Sequence, residues 1–181
     1  MTTKTNFMNL IFCIAAITIM CMAPQNSYAQ TTTKGASGLP IPRFVSLKAK
    51  RVNMRVGPGQ NYTVSWLYTK AAIPMEIIQE FDNWRRVRDF EGTEGWVFHS
   101  LLSGERSAVA APWMRGKTPL SYINLHVEAT QNSTIRAKLE PGVIAKISQC
   151  NGQWCEVVTD KVKGWASQKE LWGVYPNEAF N

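Results

Sequence analysis

The chain has 181 residues, 45% of them hydrophobic, 10% aromatic and 18% charged, with a pI near 9.4. That length holds one or two domains and excludes a large multidomain enzyme. Seven Trp and seven Phe are far more large apolar side chains than a disordered polypeptide carries. The net charge of +7 points to an acidic partner, and the compartment decides which kind.

The N-terminus sets the compartment. Lys4 is the only charge ahead of an almost wholly apolar run over residues 7–23, which is followed by Pro24 and the small-x-small tripeptide Ser27-Tyr28-Ala29. This is the layout of a secretory signal peptide over residues 1–29, cleaved after Ala29. The apolar run falls short of the roughly 20 residues that span a bilayer, so no stable membrane insertion is expected after cleavage. Cys13 and Cys21 lie in this segment, and the bulky Phe12 and Met20 before them argue against a lipid-modified cysteine. Loss of Lys4 lowers the charge of the mature chain to +6. An exported protein seldom meets nucleic acid, so the expected location is periplasmic or secreted. Anionic envelope polymers, lipid headgroups or acidic proteins then become the natural partners.

Beyond the leader the sequence repeats itself. Val52-Asn53-Met54-Arg55-Val56 aligns with Ile123-Asn124-Leu125-His126-Val127 at a spacing of 71, and residues 77–87 align with residues 147–157 at 70. Gly95-Trp96 then meets Gly164-Trp165 at 69. The expected organisation is a flexible tether over residues 30–42, a first copy over 43–106, a linker over 107–119 rich in Pro and Gly, and a second copy over 120–178. The first copy carries a net charge of +3 and residues 115–178 carry +2, a mild positive charge spread over both.

Within a copy the period is two. Val52, Met54 and Val56 alternate with Asn53 and Arg55, and Val64, Trp66 and Tyr68 alternate likewise, as in half-buried strands. Gly57-Pro58-Gly59 with Gln60-Asn61 is expected to supply a positive-φ reversal between them. Pro74–Phe81 and residues 84–90 read as a hairpin about Asp82-Asn83, with Glu94–Phe98 as a short last strand. Several short strands in about 60 residues and no helical periodicity imply an all-β chain of two tandem small β-barrels.

After export only Cys150 and Cys155 remain, in a compartment that permits pairing. A turn at Gly152-Gln153 places them opposite each other, whereas a turn at Asn151-Gly152 sets Cys150 against Gln153 and leaves the thiols offset. The first register also puts Glu80 opposite Arg85 in the first copy, a charge pair where the second copy has a disulfide. Closing so short a loop covalently contributes roughly 2 kcal/mol, and an exposed ion pair under about 1 kcal/mol.

The run Asn53-Met54-Arg55-Val56-Gly57-Pro58-Gly59, then Tyr62, Trp84, Val87 and Gly95-Trp96-Val97, resembles a bacterial SH3-like domain. The residues around Trp154 and the closing Leu171-Trp172-Gly173-Val174-Tyr175-Pro176 resemble the tandem subgroup exported by some Gram-negative bacteria. The resemblance implies a five- or six-stranded SH3-like barrel per copy and a binding role, commonly toward peptidoglycan or cell-wall peptides, often as an accessory to cell-wall hydrolases. The second copy departs from the pattern, with Glu128-Ala129-Thr130 in place of Gly-Pro-Gly and His126 in place of Arg55, which puts its ligand binding in doubt.

No enzyme site, cofactor motif or metal-ligand spacing stands out. His99 and His126 sit in different copies and read as ordinary strand or surface residues, and Arg85, Arg86 and Arg88 read as a solvated strand face. Trp96 and Trp165, each behind a Gly, read as core. Asn53, Arg55, Tyr62, Trp66, Tyr68 and Trp84 are the candidate ligand-binding residues, combining an amide, a cation and aromatic rings. The expectation is a non-enzymatic envelope protein that binds peptidoglycan or a cell-wall peptide. The alternative is an adaptor for another envelope protein.

Overall fold

The computed structural model describes residues 33–181. The expected signal peptide over residues 1–29, with Cys13 and Cys21, and the start of the expected tether lie outside the described residues. The described chain is all-β apart from three single-turn 3-10 helices. Its strands are β1 (Thr33–Lys34), β2 (Pro40–Ile41), β3 (Arg43–Leu47), β4 (Val52–Arg55), β5 (Val64–Tyr68), β6 (Pro74–Phe81), β7 (Trp84–Arg88), β8 (Glu94–Phe98) and β9 (Leu102–Ser103). Then come β10 (Ser107–Ala110), β11 (Ile123–His126), β12 (Ile135–Leu139), β13 (Ile144–Asn151), β14 (Trp154–Val158), β15 (Lys163–Ser167), β16 (Leu171–Trp172) and β17 (Ala179–Phe180).

Two large sheets repeat one topology. The first runs β5-β4-β8-β7-β6-β3-β9 and the second β12-β11-β15-β14-β13-β10-β16, with β17 added beside β13. The irregularities repeat too. The register shifts between Met54 and Arg55 and again between Leu125 and His126, and between Ile77 and Gln79 and again between Ile147 and Gln149. Such bulges bend a strand and re-aim its side chains, so the copies share their bends as well as their pairing.

Matching the sheets corrects the expected boundaries. Ser107–Ala110, read from sequence as linker, is a fully buried strand between β13 and β16, in the place β3 holds between β6 and β9. Only residues 104–106 separate β9 from β10. The second copy therefore begins at its first strand near residue 107, and residues 111–122 are a long insertion between its first two strands. The N-terminal stretch is not a free tether either. Thr33–Lys34 pairs with Pro40–Ile41, and the loop between them rests on Glu80.

Each sheet wraps its own core. Val52, Met54, Met75, Ile77, Val87 and Val97 fill the first, and Ile123, Leu125, Ala145, Ile147, Val157 and Ala166 occupy the matching positions of the second. Gly95 and Gly164 explain the Gly-Trp pairs. Each glycine is buried where the strand carrying Met54 or Leu125 crosses close by; a Cβ on Gly95 would lie 2.5 Å from Met54 Cγ and 2.9 Å from the Arg55 carbonyl oxygen. Because the glycine faces inward, the tryptophan after it faces outward. Trp96 and Trp165 are accordingly half-buried on the outer face and are not core residues.

The disulfide joins Cys150 to Cys155, which are directly opposed across the β13–β14 hairpin. The turn falls at Gly152-Gln153, where Gly152 has φ +96° and Asn151 Oδ1 accepts the backbone N–H groups of Gln153 and Trp154. Glu80 and Arg85 are opposed in the same way, with a 3.3 Å ion pair. That pair is not an exposed one. Only 1% of the Glu80 side chain is accessible, and it also meets Arg43 at 2.7 Å.

The copies are packed together. Phe44 of β3 packs edge-on against Trp172 and at a tilt against Tyr175, at centroid distances of 5.1 and 4.6 Å. The Tyr175 hydroxyl donates to Glu76 Oε1 at 2.9 Å. Arg106, in the joint, donates twice to the Glu178 carboxylate and once to the Gly173 carbonyl, with its guanidinium over the Phe180 ring.

Candidate functional site

Strand alternation places the first site. Val52 and Met54 are fully buried, so Asn53 and Arg55 face outward from β4. They meet Trp84 from the start of β7 and Phe98 from the end of β8 in a cleft of about 450 Å³, which Arg51 and Leu101 also line. Trp84 is largely covered and packs edge-on against Phe98 at 5.4 Å. The Arg55 guanidinium donates to the Tyr62 carbonyl at 2.6 Å, tying β4 to the loop after it.

That loop owes its glycines to contact. Gly57 and Gly59 are not among the positive-φ residues, contrary to the turn expected from sequence. Instead the Tyr62 ring lies across both, and a Cβ on Gly57 would collide with its Cδ1. Tyr62 is thus a cover on the turn, with 43% of its surface still exposed.

The six candidate residues divide in two. Asn53, Arg55 and Trp84 come together in the cleft, while Tyr62, Trp66 and Tyr68 are absent from its lining. Trp66 stands 52% exposed on β5, the terminal strand of its sheet. Tyr68 is a core residue. Its hydroxyl donates to Asp89 Oδ2 at 2.8 Å, and burial, reinforced by the Asp89 carboxylate, pushes the phenol far above its ordinary range. A buried, paired hydroxyl presents no shelf to a ligand.

The second copy holds the same cleft, and a larger one. Asn124, His126 and Trp154, the equivalents of Asn53, Arg55 and Trp84, line about 1120 Å³ together with Gln168, Lys169 and Glu170. His126 is buried and meets the Trp154 ring edge-on at 5.2 Å. Its Nδ1 lies 3.0 Å from the Ser133 carbonyl; because a carbonyl only accepts, Nδ1 carries the proton. Ser133 is the repeat equivalent of Tyr62, so histidine here makes the tie that Arg55 makes in the first copy. His126 is a strand residue, as expected from sequence, and from the end of β11 it also lines the second cleft. His99, by contrast, is exposed, at the start of a 3-10 turn.

The two clefts differ in charge. Arg51 and Arg55 make the first cationic, while the second holds Glu170, the exposed Lys169 and a histidine. Burial pushes the Glu170 carboxyl up, and His126 partly opposes that shift. Sequence reasoning passed over Asn124, Trp154, Gln168 and Glu170. The first two were within reach, since the repeat spacing carries Asn53 and Trp84 onto identical residue types. Gln168 and Glu170 were not, because they stand on a 3-10 turn whose first-copy counterpart is His99–Leu101. Among the described residues no group of three or more His, Cys, Asp or Glu is arranged to hold a metal.

Among solved structures, NlpC2 from Trichomonas vaginalis is 12% identical over 72% of this chain and 48% of that one, with a TM-score of 0.32. NlpC1 from Trichomonas vaginalis is 12% identical over 77% of this chain and 48% of that one, also with a TM-score of 0.32. The chain thus spans about half the length of those structures. No curated protein matches it. A family model described as bacterial SH3 domain matches residues 48–104 and again 121–173. With its two matched regions, its repeated strand order and its paired clefts, the chain belongs to the bacterial SH3 domain family.

Proposed function

We propose that the protein is an exported, non-enzymatic binder of peptidoglycan or cell-wall peptides, working in the periplasm or outside the cell with two small SH3-like barrels. The observation that carries this reading is the repeated cleft. An asparagine, a basic or imidazole side chain and a tryptophan, buried in the first copy and half-buried in the second, line the same place in both copies. Such a combination suits an extended peptide, with the ring covering its apolar surface while the amide and cation meet its polar groups. The leader-like N-terminus and the Cys150–Cys155 disulfide fit an oxidising compartment. The mature charge of +6 favours contact with a carboxylate-bearing wall.

The test is cosedimentation of the mature protein with purified sacculi across a salt series. Sedimentation at low salt that weakens as salt rises is expected, since screening acts on exposed charge contacts. Substituting Arg55 or Trp84 is expected to reduce it.

One observation favours a second reading. β5 lies at the end of its sheet and exposes Val64, Trp66 and Leu67, an arrangement that accepts an added strand from a protein partner. An adaptor of that kind, accessory to a wall hydrolase, stays in the supernatant with sacculi and cross-links to a discrete envelope protein.

A further inference from the structure

We infer that residues 111–122, the insertion between the first two strands of the second copy, form a membrane-surface contact that seats the protein on anionic phospholipid headgroups. The inference goes beyond the wall-peptide reading and uses neither cleft.

Its composition comes first. The first copy crosses from β3 to β4 with residues 48–51 alone, whereas the second takes residues 111–122 for the same crossing. That stretch carries Trp113, Leu120 and Tyr122 with Arg115 and Lys117, and no Asp or Glu. Large apolar side chains beside cations are what the headgroup zone of a bilayer takes up.

The fold gathers these residues at one end of the second copy. Where the insertion leaves β10, the Gly142 N–H donates to the Ala110 carbonyl at 2.7 Å, and where it joins β11, Ile123 pairs with Leu139. Both ends of the insertion therefore meet the turn between β12 and β13, over residues 140–143. Arg115 lies on that turn as well, since a Cβ on Gly142 would stand 3.2 Å from its Cδ. Ala111 is buried in the second core and Met114 packs against it, which anchors the 3-10 turn Pro112–Met114. The N–H groups of Arg115 and Lys117 donate back to the Pro112 and Met114 carbonyls. Trp113, between the two anchors, is left 48% exposed, and Leu120 and Tyr122 are 56% and 43% exposed. Three large apolar side chains held out on one anchored loop mark an interaction surface.

Charge selects the occupant. Arg115 and Lys117 are exposed and form no ion pair among the described residues. On the adjoining strand and turn Lys138 and Glu140 offset each other, and the Glu170 side chain lines the second cleft. This end is therefore cationic and complements phosphodiester headgroups. A purely ionic polymer has no use for the exposed rings, whereas the boundary between headgroups and acyl chains accepts them. The contact is peripheral and does not cross the bilayer.

The experiment cosediments the mature protein with vesicles of phosphatidylcholine and phosphatidylglycerol, and separately with vesicles of phosphatidylcholine alone. Binding to the anionic vesicles that falls as salt rises is expected, with affinity about tenfold lower for the neutral ones. Arg115→Gln and Lys117→Gln should each weaken it about fivefold, and Trp113→Ser about tenfold. Lys161→Gln, at an exposed cation on another turn, should leave it unchanged. The vesicle comparison uses the unmodified protein, so it stands even if a variant folds poorly. Equal affinity for both vesicle types, equal losses in Arg115→Gln and Lys161→Gln, or no binding to either vesicle would overturn the inference. Sedimentation with sacculi but not with vesicles overturns it and leaves the wall reading standing. Vesicle binding through Trp113 without sedimentation on sacculi supports it and removes the wall reading.

Discussion

At the scale of single residues, close approach explains more of the motif than turn geometry does. Gly95→Ala is expected to cost about 1–3 kcal/mol in urea denaturation, because the new methyl meets a backbone carbonyl that cannot move aside as the Met54 side chain can. Glu80 offers a test through pH. Burial opposes its charge, but the Ser37 N–H, the Arg43 guanidinium and the Ser37 hydroxyl outweigh that and lower its pKa from 4.5 to about 2. A depressed carboxylate stabilises the fold fully above its unfolded value and loses that contribution as pH falls from about 4.5 through about 2. The stability advantage of the native protein over Glu80→Gln should therefore be constant near neutral pH and shrink over that acid window. Asn53, Arg55 and Trp84 were legible as a group because a two-residue period sorts faces. Tyr68 was not, since its burial depends on Asp89, whose other carboxylate oxygen also accepts the N–H groups of Glu91 and Thr93; no local pattern in β5 contains that loop.

At the scale of elements, the hairpins follow from sequence, and the structure chooses between the two registers that sequence left open at Cys150 and Cys155; the strand that opens the second copy does not follow from sequence. Ser107–Ala110 is short and alanine-rich and stands just before a proline, which reads as linker. It becomes a strand because small side chains fit the fully buried slot between β13 and β16. Its amides should therefore exchange with solvent as slowly as those of β14, whereas linker amides would exchange at once. Ala108→Asp, placing an unpaired carboxylate at a position 1% exposed, is expected to unfold the second copy or weaken it by several kcal/mol, roughly. Reducing the disulfide acts more mildly. Opening the Cys150–Cys155 loop should cost about 2 kcal/mol in the second copy, read as a lower denaturation midpoint in reductant. Because Glu80 is buried among Arg43, Arg85 and Ser37, the first copy's hairpin is held by a network and not by one exposed pair.

At the scale of the molecule, the two copies are expected to behave as one body, because residues 104–106 leave little slack and side chains of one pack on the other. Phe44, Trp172 and Tyr175 form the apolar contact, and the Tyr175–Glu76 hydrogen bond and Arg106 complete it. The native protein is expected to unfold in one calorimetric transition. Phe44→Ala should destabilise it by about 3 kcal/mol and separate that transition into two. None of this contact was visible in the sequence, where the joint and the first strand of the second copy merged into a single linker. The repeat itself was visible, and it leads to the central claim that both copies use the same cleft on a wall peptide. The most direct measurement is nitrogen-15 shift mapping of the mature protein with soluble wall fragments. Saturable shifts are expected, centred on Asn53, Trp84 and Phe98 in one copy and on Asn124, Trp154 and Gln168 in the other. Shifts gathered on Val64, Trp66 and Leu67 of β5, or no shifts at saturating fragment, would contradict that claim.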